Sequence, residues 1–345
     1  MTYTVTLKPS DKQFSVDPGE SVLEAALRQA VVLPYGCKNG ACGSCKALLV
    51  SGSVELGEHS AKALRPEDVT RGYTLLCCAR AGSDLVIEAR VVAAAGDIPV
   101  RKMPCRVASI AEVAPDVRVI SLQLPANERL QYLAGQYIEI ILRDGSRRSY
   151  SMACAPHLAE KLDLHVRHMP GGRFTDTVFG LAEPALKEKD ILRFEGPLGT
   201  FFLREDSDKP IVLLASGTGF APIKAVIEHA IHKSITRPMT LYWGGRRPHD
   251  LYMHGLCEQW SRELPGFRYV PVISDALAQD HWQGRTGFVH RAVIDDLPDL
   301  SGHQVYACGA PIVVDSARRD FCTQCALPSD EFFADSFTSA ADTAP

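Results

Sequence analysis

Residues 35–45 of the chain read Tyr-Gly-Cys-Lys-Asn-Gly-Ala-Cys-Gly-Ser-Cys. Cys37, Cys42 and Cys45 therefore share one loop with a C-x4-C-x2-C spacing, and Cys77 and Cys78 follow further along the chain. The first residues have neither the basic segment nor the apolar segment of a secretory signal, so we expect a cytoplasmic protein with reduced thiols. Clustered cysteines in such a chain indicate metal or redox chemistry.

The spacing of these cysteines suits a 2Fe–2S cluster, because the loop of plant-type ferredoxins carries the same signature before a distant fourth cysteine. Gly36, Gly40 and Gly43 fit this chemistry, since a loop around a cluster needs tight turns and backbone amides aimed at sulfur. A structural zinc site and buried free cysteines are the alternatives, but zinc usually takes two short cysteine knuckles. The predicted ligands are Cys37, Cys42, Cys45 and one of Cys77 and Cys78.

The length and composition indicate two or three ordinary globular domains. The chain has 345 residues, of which 46% are hydrophobic and 23% charged. Its net charge of -4 gives no electrostatic reason to bind nucleic acid or an anionic membrane. The most apolar stretch, residues 211–227, is interrupted by Ser216, Thr218 and Lys224, so we expect no membrane span. We also expect a monomer.

The first part of the chain, residues 1–93, predicts a compact α+β unit. Apolar residues alternate between Tyr3 and Leu7 and again at Phe14 and Val16, which predicts a hairpin. Ser21 and Glu24 form a capping box at the start of a short helix. Further strands are expected at residues 46–50, 74–76 and 85–89. The Ala-, Gly- and Pro-containing residues 94–103 predict a linker.

Two further domains follow the predicted linker. Short alternating strands around residues 120–124, 137–142, 162–166 and 192–194 predict a small antiparallel barrel over residues 104–206. Residues 211–215 are continuously apolar, as expected of a strand buried on both faces. Strands and helices then alternate, which predicts a doubly wound α/β domain over residues 207–345.

Two motifs in the barrel region have the composition of a nucleotide site. Arg148 and Tyr150 would provide a phosphate clamp beside an aromatic platform for a flat ring. Gly171 and Gly172 precede Thr175, which would leave backbone amides and a hydroxyl free to hold a pyrophosphate. An ordinary strand arginine and an ordinary turn are the alternatives, and either motif alone is weak.

Two more motifs lie in the α/β region. Gly217, Thr218 and Gly219 stand between the buried strand and a helix, where glycines let the backbone approach a diphosphate. Pro222 departs from the G-x-G-x-x-G fingerprint and so disfavours a true Rossmann dehydrogenase. Cys308 and Gly309 close a later strand, and a plain core cysteine is the alternative for Cys308.

Taken in order, these motifs resemble those of a known family. They are R-x-Y-S at 148–151, Gly-Gly-Arg-Phe-Thr at 171–175, G-T-G-x-A-P at 217–222 and C-G-x-P at 308–311. The members of this family are the NADH-dependent reductases that fuse a plant-type ferredoxin to a ferredoxin–NADP reductase module. They include reductase components of bacterial oxygenases and CDP-6-deoxy-glucoseen reductases, and residues 243–246, 250–252 and 333–337 resemble the second group more. The resemblance implies a β-grasp ferredoxin domain, a six-stranded FAD-binding barrel and an NAD(P)-binding domain.

The resemblance also assigns roles. Leu76-Cys77 followed by Ser83-Asp84-Leu85 matches the fourth-ligand segment, which makes Cys77 the ligand and Cys78 a spare. Ser151 would lie near the flavin N5 and Cys308 beside the nicotinamide C4, so both are the expected catalytic residues. The expected cofactor-binding residues are Arg148, Tyr150, Ser151, Gly171, Gly172, Thr175, Gly217, Thr218, Gly219, Cys308, Gly309 and Phe337.

The implied activity is electron transfer from NADH through FAD and the cluster to a partner protein, either an oxygenase component or a dehydrase. FAD is needed because a hydride carries two electrons and the cluster carries one at a time. Arg246 and Arg247 could pair the 2′-phosphate of NADPH, whereas Asp250 would repel it, and the family resemblance favours NADH. The alternative function is a non-catalytic redox sensor, for which a hydride site would be superfluous.

Overall fold

The computed structural model describes residues 2–92 and 98–338. The chain divides into two compact units, one made of Met1–Pro99 with Asp335–Pro345 and the other of Val100–Ala334. No helix in the described residues is both long and apolar enough to cross a bilayer.

The first unit is built on a five-stranded mixed sheet with the order β2-β1-β7-β3-β5 and a separate β4-β6 pair. Its strands are β1 (Tyr3–Lys8), β2 (Gln13–Val16), β3 (Lys46–Ser51), β4 (Val54–Leu56), β5 (Tyr73–Leu75), β6 (Ala79–Ala81) and β7 (Leu85–Glu88), and its helices are α1 (Val22–Arg28) and α2 (Pro66–Thr70). Strands β1 and β7 are parallel, whereas β1 with β2 and β3 with β7 are antiparallel. The predicted ferredoxin-type fold is confirmed.

Helix α1 begins where the sequence predicts. The Glu24 backbone N–H donates to the Ser21 hydroxyl at 3.2 Å, and the Ser21 N–H donates to the Glu24 carboxylate at 2.8 Å. The helix buries Val22, Leu23 and two alanines. Strands β4 and β6 and helix α2 were not predicted, because they are too short to show a period in the sequence.

The second unit begins with a six-stranded antiparallel sheet of order β11-β10-β13-β8-β9-β12. Its strands are β8 (Arg101–Ala114), β9 (Val117–Gln123), β10 (Tyr137–Ile141), β11 (Arg147–Ser151), β12 (Lys161–Arg167) and β13 (Ile191–Leu198), and helix α3 (Arg173–Val178) lies between the last two. A bridge between Met152 and Leu164 joins the two edges of the sheet. The sheet is therefore a closed barrel around a buried apolar core.

Strand β8 starts at Arg101, inside the predicted linker of residues 94–103. This differs from the prediction because β8 continues its pairing with β13 back to Arg101 and buries Met103 and Cys105 in the barrel core. Residues 93–97, which include the first part of that linker, lie outside the described residues. The domain boundaries themselves stay predictions.

The rest of the second unit carries a sheet of order β17-β16-β15-β14-β18-β19, in which the strands from β14 to β18 pair in parallel. Its strands are β14 (Ile211–Ser216), β15 (Met239–Gly245), β16 (Phe267–Ile273), β17 (Arg285–Thr286), β18 (Gln304–Gly309) and β19 (Phe332–Ser336), and its helices are α4 (Phe220–His232), α5 (His254–Glu263), α6 (Val289–Asp296) and α7 (Pro311–Gln324). The chain runs outward from β14 to β17 and then returns to β18 on the other side of β14. This reversal between β14 and β18 is the switch point at which α/β sheets bind ligands.

Candidate functional site

Four cysteine sulfurs of the first unit come together in two pairs. The Cys37 N–H donates to Cys42 Sγ at 3.4 Å, and the Cys42 N–H donates to Cys37 Sγ at 3.3 Å. The second pair is Cys45 and Cys77, whose Sγ atoms are 3.2 Å apart. A 2Fe–2S cluster is held by four thiolates, two for each iron, so this pairing fits the cluster. The sulfurs pack against one another. Within residues 2–92 and 98–338, no group of three or more His, Cys, Asp or Glu side chains is arranged around a metal position.

The chemistry of the thiols also fits a bound cation. The pKa of Cys42 is raised well above its usual value by the hydrogen bond with Cys37 and by burial. Crowded, buried thiols resist ionisation until a metal supplies positive charge, and a coordinating thiol is then deprotonated. The Ser44 N–H also points at Cys42 Sγ, at 3.5 Å, in agreement with the expected amides aimed at sulfur.

The structure places Cys77 and Cys78 differently. Cys77 contacts Cys45 directly and also interacts with Cys37. Cys78 lies behind Cys77, with 3.6 Å between the two sulfurs, and packs over Gly40, where a Cβ would come within 2.7 Å of Cys78 Sγ. This arrangement supports Cys77 as the fourth ligand, which stays a prediction.

The barrel strand β11 presents the predicted flavin residues at its end. The Tyr150 ring lies 5.4 Å from that of Phe174, tilted by 52°. Burial raises the pKa of the Tyr150 phenol, and the positive charge of Arg148 opposes this shift, so the two side chains are neighbours. Ser151, the last residue of the strand, is buried. An aromatic ring and a cation on one face of the strand, with a hydroxyl at the next residue, suit a flat ring that carries a phosphate tail.

The glycine turn before α3 leaves its backbone accessible as expected, but the Thr175 hydroxyl, which was expected to be free for a pyrophosphate, is bonded within the turn. Gly171 has a φ of 76°, and a side chain there would meet only open space, so the backbone is accessible from outside. At Gly172 a Cβ would lie 2.5 Å from Thr175 Oγ1. The Thr175 hydroxyl is used within the turn, because it donates to the Met169 carbonyl at 2.9 Å and accepts from the Met169 N–H at 3.2 Å. Its role towards a pyrophosphate stays a prediction.

The two predicted nicotinamide motifs meet at the switch point of the parallel sheet. A Cβ on Gly219 would lie 2.2 Å from the Cys308 carbonyl oxygen, and a Cβ on Gly309 would lie 2.4 Å from that of Ser216. Only glycine allows the turns after β14 and β18 to approach this closely. Thr218 and Cys308 are buried in the same turns. This cradle at the carboxyl ends of the strands fits a dinucleotide.

Aromatic side chains support the first of these turns. The Trp243 indole N–H donates to the Gly217 carbonyl at 3.0 Å, and its ring stacks on Phe220 with centroids 3.9 Å apart. Tyr252 meets Trp243 edge-on at 5.2 Å. Helix α4 begins at Phe220, because the turn of Gly217–Gly219 leads directly into it.

Asp250, expected to repel a 2′-phosphate, is only 1% exposed and faces inward, and its effect on nucleotide choice stays a prediction. Its Oδ2 accepts from the Arg246 N–H at 2.7 Å, and its Oδ1 accepts from Arg167 Nη2 at 2.9 Å. Arg247 is paired with Asp280 through two hydrogen bonds. Asp250 therefore holds the loop after β15 in place.

Arg167 was missed by the sequence reasoning. It ends strand β12, lies 3.0 Å from the Asp116 carboxylate and packs against Gly217, where a Cβ would come within 2.7 Å of its guanidinium. No local motif marks it, since an arginine at the end of an alternating strand is ordinary. Phe337, which follows β19, is half-buried, and its expected cofactor contact stays a prediction.

Comparisons with known proteins cover almost the whole chain. Residues 5–82 match the family of 2Fe-2S iron-sulfur cluster binding domains, residues 104–203 the oxidoreductase FAD-binding domains and residues 213–319 the oxidoreductase NAD-binding domains. The three expected cofactors, a 2Fe–2S cluster, FAD and a nicotinamide nucleotide, are thereby confirmed as those of the domains present.

Several relatives are similar to this chain over nearly the whole length of both chains. The CDP-6-deoxy-L-threo-D-glycero-4-hexulose-3-dehydrase reductase of Yersinia pseudotuberculosis is 42% identical over 98% of this chain and 99% of its own. Reductase component 1 of terephthalate 1,2-dioxygenase from Comamonas is 36% identical over 99% and 98%. The crystal structure of the Amycolatopsis cytochrome P450 reductase GcoB matches with a TM-score of 0.76 and 33% identity over 98% and 99%.

Proposed function

The chain belongs to the family of reductases that join a 2Fe–2S ferredoxin domain to an FAD-binding barrel and an NAD-binding domain, and we propose that its electron acceptor is a dehydrase acting on a CDP-linked 6-deoxyhexulose. It is an oxidoreductase that transfers electrons from NAD(P)H to a partner protein. Its relatives are reductases, which favours the enzyme over the redox sensor.

The position of each residue indicates which cofactor it would hold. When bound, FAD supplies the conversion of a two-electron hydride into single electrons, which a 2Fe–2S cluster carries one at a time. The turns at Gly217–Gly219 and Gly309 would admit the nicotinamide nucleotide, with Cys308 in the same turns. Arg148, Tyr150 and Ser151 would bind and orient the flavin. The ligand set proposed for the cluster is Cys37, Cys42, Cys45 and Cys77.

The observation that carries the choice of partner is the 42% identity to the dehydrase reductase over nearly the full length of both chains. An oxygenase component is the second candidate, because the identity to the terephthalate dioxygenase reductase is 36% over a similar length. NADH is the proposed donor, since both arginines near the expected adenosine end already pair with aspartates.

A reconstitution experiment distinguishes the two partners. The purified protein is mixed with NADH, the CDP-6-deoxyhexulose substrate and the dehydrase that the Yersinia relative serves, and the 3-deoxy sugar product is quantified. We expect product formation that requires both proteins, and none when Cys42→Ser replaces the wild type. Stimulation of terephthalate dioxygenase turnover with no effect on the dehydrase would instead identify an oxygenase partner.

A further inference from the structure

A buried histidine lies in the second unit with half of its hydrogen-bonding capacity unused. His165, on strand β12, is 5% exposed, and its Nδ1 is 2.8 Å from the Tyr252 hydroxyl. Its Nε2 is buried and has no hydrogen-bond partner among the described residues. Buried polar atoms in folded proteins nearly always have a partner, so this atom needs an explanation.

The register of the barrel places His165 beside the predicted flavin site. Met152 pairs with Leu164 in antiparallel register, so the next pair along is Ser151 with His165. Met152 and Leu164 are fully buried in the barrel core. Side chains alternate across a strand, and opposite residues share a face. Ser151 and His165 are therefore neighbours on the outer face of the barrel.

Tyr252 links this histidine to the nicotinamide side of the site. Its ring contacts Trp243 and Phe220 edge-on, and Trp243 holds the Gly217 carbonyl. The imidazole is neutral, because burial and the positive charge of Lys224 lower the pKa of His165 to about 3. A neutral imidazole whose Nδ1 is engaged by Tyr252 has one nitrogen left for a ligand, as donor or acceptor according to its tautomer.

We propose that His165 is a further ligand-binding residue of the flavin–nicotinamide site, oriented by Tyr252, whose Nε2 forms a hydrogen bond with an amide-type group of the bound nucleotide. Adjacent carbonyl and N–H groups of this kind occur on the pyrimidine edge of the flavin ring and on the nicotinamide carboxamide. The inference rests on the proposed function, because it takes the Ser151 region as the place where the two rings meet.

Two isosteric substitutions separate ligand binding from a structural role. His165→Asn keeps a polar atom near the position of Nδ1, where it can still bond to Tyr252, but has no polar atom at the position of Nε2. His165→Gln keeps a polar atom near the position of Nε2. The dissociation constants of FAD, from reconstitution of the flavin-free full-length protein, and of NAD⁺, from calorimetry on the holoprotein, are measured for both variants. We expect His165→Asn to raise one of the constants about tenfold and His165→Gln to stay within about threefold of the wild type.

The two constants identify the ring that His165 contacts. A weaker FAD complex with a shifted flavin absorption band and an unchanged NAD⁺ constant indicates the flavin, and the opposite pattern indicates the nicotinamide. The proposal is overturned if His165→Asn leaves both constants unchanged, or if His165→Gln is the more damaging variant. If neither variant folds, Tyr252→Phe is used, because it removes the hydroxyl that orients His165. A rise of about threefold in the dissociation constant of FAD or of NAD⁺ supports the proposal, and no rise in either overturns it. A wild-type protein that binds no FAD would defeat the proposed function instead.

Discussion

Arg167 Nη2 donates to Asp250 Oδ1 over 2.9 Å, and this ion pair connects barrel strand β12 to the loop that follows β15. The carboxylate is 1% exposed, and the guanidinium also lies 3.0 Å from Asp116 and packs on Gly217. One buried carboxylate thus fixes the flavin-binding barrel and the nicotinamide turn relative to each other. The hydride distance between two bound rings depends on this geometry.

Removal of the Asp250 carboxylate is expected to destabilise the protein. Asp250→Ala leaves Arg167 with one fewer counter-charge and frees the Arg246 N–H, and breaking a buried ion pair costs about 3 kcal/mol. The free energy of unfolding of the second unit, from urea titration followed by flavin fluorescence, measures the loss. Asp275→Ala, which removes the carboxylate of an exposed aspartate, is the control. Equal free energies of unfolding for the two variants would show that the ion pair does not stabilise the protein.

The contribution of Asp250 should also depend on pH in a defined direction. Burial works to raise the pKa of Asp250, but the Arg246 N–H and guanidinium and the charge of Arg167 outweigh it, so the pKa is lowered. A carboxyl with a lowered folded-state pKa stabilises fully above its unfolded pKa of about 4 and loses this effect as the pH falls further. The stability difference between wild type and Asp250→Asn should therefore be constant from pH 7 to pH 5 and shrink below about pH 4. A difference that grows on acidification would contradict the assignment.

Nucleotide preference should respond to the partner of Arg247. Its guanidinium forms two hydrogen bonds with Asp280 and so is not offered to a 2′-phosphate. We expect the wild type to have the larger kcat/KM with NADH, and Asp280→Ala to raise kcat/KM for NADPH about three- to tenfold. The matched control is Asp295→Ala, which removes one of the two carboxylates that pair with Arg285. The prediction fails if the wild type prefers NADPH, or if both variants gain NADPH activity alike.

The close approach of the two nucleotide turns should make Gly219 intolerant of any side chain. Gly219→Ala places a Cβ 2.2 Å from the Cys308 carbonyl oxygen, so the turns must separate. We expect a KM for NADH raised about tenfold or more and a loss of about 1–3 kcal/mol in stability. Gly302→Ala, where a Cβ meets nothing within 4 Å, should leave both quantities unchanged. A Gly219→Ala variant with wild-type kinetics would mean that the turns do not hold the nucleotide.

Cluster ligation should distinguish two adjacent cysteines. Serine at Cys37, Cys42, Cys45 or Cys77 should abolish cluster content, because each of these sulfurs belongs to one of the two pairs. Cys78→Ser should retain it, since Cys78 lies behind Cys77 and packs over Gly40. Iron and acid-labile sulfide, determined per protein, give the answer. Loss of the cluster in Cys78→Ser with retention in Cys77→Ser would reverse the assignment.

Local signals in the sequence were sufficient for most of the fold. The Ser21–Glu24 capping box predicted the start of α1, because both of its hydrogen bonds lie within one turn. The cysteine loop predicted its own chemistry, since spacing and glycine content are properties of a single segment. The burial of Asp250 could not be predicted in this way, because its partner Arg167 lies in another domain. His165 escaped notice for the same reason, since its position relative to Ser151 depends on closure of the barrel.

The central claim is that electrons leave the protein through the ferredoxin domain, and an acceptor comparison on one variant tests it most directly. Cys42→Ala should lose the cluster but keep FAD, because the barrel and the α/β sheet belong to a unit with its own core. NADH oxidation is measured with ferricyanide, which is small enough to reach the flavin directly, and with cytochrome c, which is not. The account predicts near wild-type ferricyanide reduction and a steep loss of cytochrome c reduction. Full cytochrome c reduction by a cluster-free, FAD-replete protein would contradict it.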